Sequence, residues 1–143
     1  MAAHYESKHG TVAIPADPLY MSFTDLRTLV NNVPEQYRDS VTADFDHLKA
    51  TVQGFTISVK VAERRPYSLI RIEDDEAPFH FSISIHFDAV PEGTDFSIEA
   101  DADLNFMMKA MLGGRIKDAL DRVVDGLVEV SHGKKPNFPS DLG

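Results

Sequence analysis

The chain contains no cysteine. That absence excludes a disulfide framework and every site built on a thiolate, whether metal-binding or nucleophilic. Long apolar runs are also missing. The opening MAAHYESKHGTVAIP carries no stretch of signal-peptide length, and no window approaches the ~18 consecutive apolar residues of a membrane span. Basic residues number 14 against 23 acidic ones, for a net charge of −9. They are scattered, and only Arg64–Arg65 and Lys134–Lys135 are adjacent. Phosphate backbones are bound by clustered Lys and Arg, so no nucleic-acid partner is expected. A soluble, cytoplasmic protein without membrane insertion is the expectation, its acidic surface serving solubility.

Catalytic and cofactor motifs are equally sparse, and no cofactor is expected. GGR at 113–115 is not a phosphate loop, because neither the Lys-Ser/Thr spacing nor a preceding strand is in place. No Gly-x-Ser-x-Gly elbow occurs. DADLN brings Asp101, Asp103 and Asn105 into the spacing of a calcium loop. Phe106 and Leu112 occupy the places where such a loop needs Gly and Glu. The same residues read more simply as the outward face of a strand entering a helix cap.

What is present is architecture. A length of 143 residues suits one domain, and burial of roughly 68–70% of the unfolded surface supplies a core at that size. Residues 4–14 read as a first strand whose parity slips near Gly10, where a bulge is expected. ADPLYMSFTDLRTLVNNVP (16–34) reads as helix, with Asp17 as cap, Pro18 in the first helical position, and Leu19, Phe23, Leu26 and Val30 on one stripe. Pro34 breaks it, and EQYR adds a further turn.

From 40 to 104 the period falls to two. Val41–Phe45, HLKATVQ, FTISVKVAE, SLIRIED, FHFSISIHFDAV and TDFSIEADADL alternate apolar with polar residues. Turns at Pro66 and at Pro91-Glu92-Gly93 separate them, which predicts an antiparallel meander with one apolar face. NFMMKAMLGGRIKDALDRVVDGLVEVSH (105–132) is a long amphipathic helix. Asn105 is its cap, and Met108, Leu112, Ile116, Leu120, Val123 and Leu127 form its buried stripe. Gly113-Gly114 within it marks a bend or a close approach. The uncovered sheet face and the only long apolar stripe left over predict a sheet wrapped around this helix.

That order, together with HYESKHGTVAIPADPLYMSFTDLRTL, VKVAERRPYSLIRIE, PFHFSISIHF and ADLNFMMKAMLGGRIKDALDRVVDGLVE, resembles the START-like, or SRPBCC, superfamily of polyketide cyclases and lipid-transfer proteins. The likeness is nearest to its small bacterial stand-alone members and spans about residues 3–130. It implies an α+β helix-grip fold: a curved seven-stranded antiparallel sheet around the C-terminal helix, with two short helices after the first strand. It also implies a hydrophobic ligand between sheet and helix. The expected organisation is one domain over 1–132 and a flexible tail over 133–143.

The histidines of FHFSISIHF, His80 and His86, lie six residues apart on one strand face. Their Cα atoms are then about 20 Å apart, too far to share a metal ion, and they face away from the Phe/Ile row. No metal site is expected. Phe55, Ile57, Ile70, Ile72, Phe79, Phe81, Ile83 and Ile98 would form the sheet wall of a cavity, and Met108, Met111 and Leu112 its helix side. Met107, Met108 and Met111, with Met21, suggest a deformable mouth. The same residues also describe a filled core. Tyr20, Glu63 and Arg115 are the polar residues within reach of such a space. Glu63 and Arg115 either point inward and pair, since an unpaired buried charge is prohibitive, or lie on the surface.

The expected function is binding of a hydrophobic or amphipathic small molecule without catalysis. A cyclase- or hydratase-like enzyme using Glu63 and Tyr20 as acid and base is one alternative. A protein-interaction domain with a filled core, such as a homodimer, is the other.

Overall fold

Strict alternation makes the longest ladder. Phe81–Val90 pairs antiparallel with Gly93–Asp103, from Phe81 opposite Ala102 to Val90 opposite Gly93. Gly93 closes the turn with φ of +140°, and a Cβ there would lie 2.1 Å from the Val12 carbonyl oxygen. The computed structural model describes residues 2–31, 39–52, 54–77 and 79–133. In chain order these form β1 (Ala2–Glu6), β2 (Gly10–Val12), α1 (Ala16–Thr24), α2 (Leu26–Asn31), β3 (Val41–Ala43), β4 (His47–Val52), β5 (Phe55–Arg65), β6 (Leu69–Glu76), β7 (Phe81–Val90), β8 (Gly93–Asp103) and α3 (Phe106–Ser131). The turn expected at 35–38 and the tail from 134 lie outside the described residues.

The sheet runs β1-β8-β7-β6-β5-β4-β3, with β2 also on β8. Every pairing is antiparallel. The helix-grip expectation holds, with eight strands where seven were expected. The eighth arises because the first strand is interrupted at residues 7–9, where its parity slips. Ser7 bridges the gap: its backbone amide donates to Ile98 O at 2.8 Å, and its hydroxyl accepts from the Ile98 amide at 2.8 Å.

The helix expected over 16–34 is two helices. Asp25 adopts φ −98°, ψ 110° and ends α1. Its carboxylate then accepts the Arg27 amide at 3.0 Å, as a helix cap does, so the chain restarts in a new direction. α1 begins at Ala16 behind Pro15, without a side-chain cap, so Asp17 lies in its first turn rather than capping it. Asn105 caps α3 as expected, its Oδ1 accepting the Met108 amide at 2.9 Å. Gly133, with φ +84°, follows the last turn.

α3 lies on β1, β2 and β8. A polar seam ties one flank to the edge strands: Lys8 pairs with Asp125, the Lys8 amide donates to Asp121, Lys117 donates to Glu6 O, and the Ala13 amide donates to Ser131 Oγ. Close approach along this line depends on glycine. A Cβ on Gly10 would meet Val124 Cγ1 at 2.7 Å, and one on Gly113 would meet the Tyr5 hydroxyl at 3.1 Å. The buried valine of the helix is therefore Val124, at 0% exposure, while Val123, expected in the buried stripe, is 43% exposed. No helix among the described residues is long and apolar enough to cross a membrane.

Candidate functional site

Burial falls along two facing elements toward the same end of the molecule. On β7, Phe87 and Ile85 are buried, while Ile83 and Phe81 are only half-buried. On α3, Val124 is fully buried, while Leu120, Ile116, Leu112 and Met108 are half-buried. Phe106, Met107 and Met111 at its start reach 89%, 70% and 67% exposure.

The closed end is filled by aromatic packing beneath α1. Tyr20, Phe23, Phe87 and Phe96 stack with centroids 5.6–5.9 Å apart, and Val12, Leu19, Leu26, Ile70 and Ile98 complete the cluster. At the other end the flank of α3 away from its polar seam carries Leu112 and Ile116. Across from it, the inner face of the sheet carries Phe81, Ile83, Val61, Val59 and Ile57, all half-buried. Ile57 and Leu112 belong to neither hydrophobic cluster. Phe81, Met108 and Ile116 pack against the small cluster Ala3, Ala102 and Leu104, and the apolar side chains around the first turns of α3 remain partly uncovered.

The expected site residues divide accordingly. Ile57, Phe81, Ile83, Met108 and Leu112 are half-buried, and Phe79 packs against Phe81 with ring centroids 5.9 Å apart. Ile70, Ile72 and Ile98 are buried core residues. Tyr20 is core as well, 4% exposed and edge-on to Tyr67 and Phe87. Phe55 opens β5, but its side chain lies outside the described residues. Met111 is exposed in the first turns of α3, and Met21, at 58% exposure, sits on α1 at the closed end.

Glu63 and Arg115 do not turn into the apolar interior. The ladder between β5 and β6 shifts register between Val61 and Glu63, so Ala62 is an inserted residue. Glu63 thereby moves to the outer face opposite Arg71 and pairs with Arg65. Arg115 is exposed on the helix. The same shift turns Arg64 inward, opposite Ile70. Its guanidinium donates to Thr24 Oγ1 at 2.8 Å, Thr24 O at 2.8 Å, Phe45 O at 3.0 Å and Asp46 at 2.6 Å, and it stacks 4.3 Å from the Phe45 ring. A half-buried guanidinium gains from partners of this kind, and here they lock the end of α1 to the β3–β4 turn. The inward charge was missed because a one-residue bulge leaves no mark in the alternation.

The two histidines of FHFSISIHF lie apart from the apolar interior. His80 Nδ1 is 2.9 Å from Asp74 Oδ2, and Asp74 also accepts the Phe81 amide at 2.9 Å. The Phe81 amide and then His80 hold the Asp74 carboxyl below its usual range, and Asp74 raises the His80 imidazole. His86 lies on the outer face with Nε2 3.1 Å from Glu99 Oε1.

Solved structures share this arrangement of sheet and helix. A Rhizobium loti protein superposes with TM-score 0.65 at 13% identity, over 92% of this chain and 97% of that one. Norcoclaurine synthase of Thalictrum, a point mutant in complex with a transition-state analogue, gives TM-score 0.61 at 14% identity over 93% and 94%. Ara h 8.0201 gives 0.56 at 10% identity over 93% and 97%. This is the START-like fold. No protein-family model and no curated protein sequence matches the chain. At such identities the START-like likeness concerns the fold alone, and the site is read from its own residues.

Proposed function

We propose that this START-like domain binds a hydrophobic or amphipathic small molecule in the groove between the sheet and α3, without acting on it chemically. The observation that carries the reading is the pair of half-uncovered apolar walls, Phe81, Ile83, Val59 and Ile57 against Leu112 and Ile116. Apolar surface in such a position gains about 25 cal/mol per Å² when a ligand replaces water. Ligand sites are mostly apolar with few polar groups, as this lining is. Met108 and Met111 add a flexible rim that adapts to varied shapes. The acid–base pair that a cyclase-like reaction would draw on is not assembled, since Glu63 faces outward and Tyr20 is packed among aromatic rings. The neighbour solved with a transition-state analogue adds the precedent that this fold accommodates a small molecule.

The test is titration with N-phenyl-1-naphthylamine, alongside native mass spectrometry of freshly purified protein. Saturable fluorescence enhancement is expected, and Leu112→Asp, at a half-buried position, should weaken it on the order of tenfold or more with the circular dichroism spectrum unchanged. Absence of saturable enhancement together with absence of any retained small molecule would sink the proposal.

A further inference from the structure

The outer face of the sheet holds a second constellation, formed where β1 pairs with β8. Glu6 stands opposite Glu99 and His4 opposite Asp101. His4 Nε2 lies 3.0 Å from Glu6 Oε1 and 3.9 Å from Glu99 Oε2, while its Nδ1 is 2.7 Å from Asp101 Oδ1. One donor atom from each of His4, Glu6 and Glu99 falls within 4.8 Å of the other two. We propose that His4 Nε2, Glu6 and Glu99 form a site for a divalent transition-metal ion of the zinc type, with Asp101 as the residue that orients His4.

Four features of the geometry support this. Donors around a tetrahedral ion with bonds of about 2.0–2.1 Å lie roughly 3.3–3.4 Å apart. The His4 distances of 3.0 and 3.9 Å bracket that value, and the three donor atoms all lie within 4.8 Å of one another. Second, a carboxylate on the far nitrogen of a ligating histidine is the arrangement that sets its tautomer and ring orientation, and Asp101 is in that position. Third, Glu6 and Glu99 face one another directly across the ladder, so a divalent cation shared by both relieves their like-charge repulsion. Fourth, Glu99 is approached from its other side by His86, whose Nε2 is shielded from solvent and makes no hydrogen bond, although Glu99 Oε1 is 3.1 Å away. Three protein ligands leave a fourth position for water or an exogenous group, as in open zinc sites.

The carboxylates that surround His4 favour any cation there. One histidine and two carboxylates select a borderline ion such as Zn2+ or Co2+ over Mg2+ and Ca2+, which prefer all-oxygen shells.

The experiment is calorimetric titration of tag-free protein with ZnCl2, repeated with MgCl2 and CaCl2 and with the variants His4→Ala, Glu99→Gln, Asp101→Asn and His80→Ala. One saturable Zn2+ equivalent is expected. His4→Ala and Glu99→Gln should abolish it, Asp101→Asn should weaken it about 10- to 100-fold, and His80→Ala, which disturbs a histidine–aspartate pair elsewhere, should leave it unchanged. Co2+ added to the unmodified protein provides a readout that needs no variant. A tetrahedral visible absorption band and paramagnetic broadening centred on residues 4, 6 and 99 are expected. Zn2+ binding that survives His4→Ala, equal responses to Ca2+ and Zn2+, broadening centred elsewhere, or no saturable binding would each overturn the assignment.

Discussion

At the scale of single residues, the clearest consequence is the coupling of His80 to Asp74. The 2.9 Å contact raises the imidazole above its ordinary 6.5 and, after the Phe81 amide, helps to lower the carboxyl below its ordinary 3.8. A raised histidine stabilises the fold fully below its unfolded value, and that contribution is lost as pH rises through the folded one. A lowered aspartate contributes above its unfolded value and loses its effect as pH falls through the folded one. The pair therefore acts chiefly between about pH 4 and 6.5. In a histidine NMR titration the His80 midpoint should lie above that of an unpaired histidine, and Asp74→Asn should return it to the ordinary range. Urea denaturation should then show a larger difference between the two proteins at pH 5.5 than at pH 8.5. An unchanged midpoint in Asp74→Asn would show that the contact does not govern the titration. Residues were also where reading the chain fell shortest. Glu63 has inward parity on paper, and Ala62 alone reverses it, because a bulge transfers every later side chain to the other face.

At the scale of elements, α3 is the decisive one. Its cap was legible, since Asn105 precedes an apolar-periodic run, and the Met108 amide contact at 2.9 Å realises it. Asn105→Ala should cost about 1 kcal/mol in urea denaturation, with faster amide exchange at 106–109 than elsewhere in the helix. A loss spread evenly along α3 would mean that the first turn is held by tertiary contacts instead. The rotation of α3 was less legible. Periodicity marks an apolar stripe through Leu112, Ile116 and Val123, but Gly10 and Gly113 allow the helix to approach β1 and β2 along a different line, through Val124. A helical wheel ranks faces by polarity and carries no information about which face a small residue on another element allows to come near. The break at Asp25 has a similar origin, because a capping aspartate inside an apolar-periodic run becomes a boundary only where the chain must turn.

At the scale of the whole molecule, burial is graded from a filled end to a more exposed one. Phe87, Phe96, Ile70 and Val124 are almost without solvent contact, while the first turns of α3 expose Phe106, Met107 and Met111. Native-state hydrogen exchange should follow this gradient, slowest in β6, the Phe87 end of β7 and the Val124 region, and faster around residues 106–112. Saturation with N-phenyl-1-naphthylamine should raise protection at 106–116 and at the start of β7 more than at the filled end. Uniform protection would place the probe outside the groove.

The alternation of β5 to β8, the turns at Pro66 and Gly93, the cap at Asn105 and the need to cover one apolar sheet face were properties of the sequence by itself. Each depends on side-chain polarity or backbone preference within a few residues. The tertiary structure alone decided that Arg64 rather than Glu63 turns inward, and that His4 meets Glu99 from 95 positions away. Those outcomes depend on register, on bulges and on how closely two backbones approach, and these are set by the mutual fit of distant segments rather than by any local pattern.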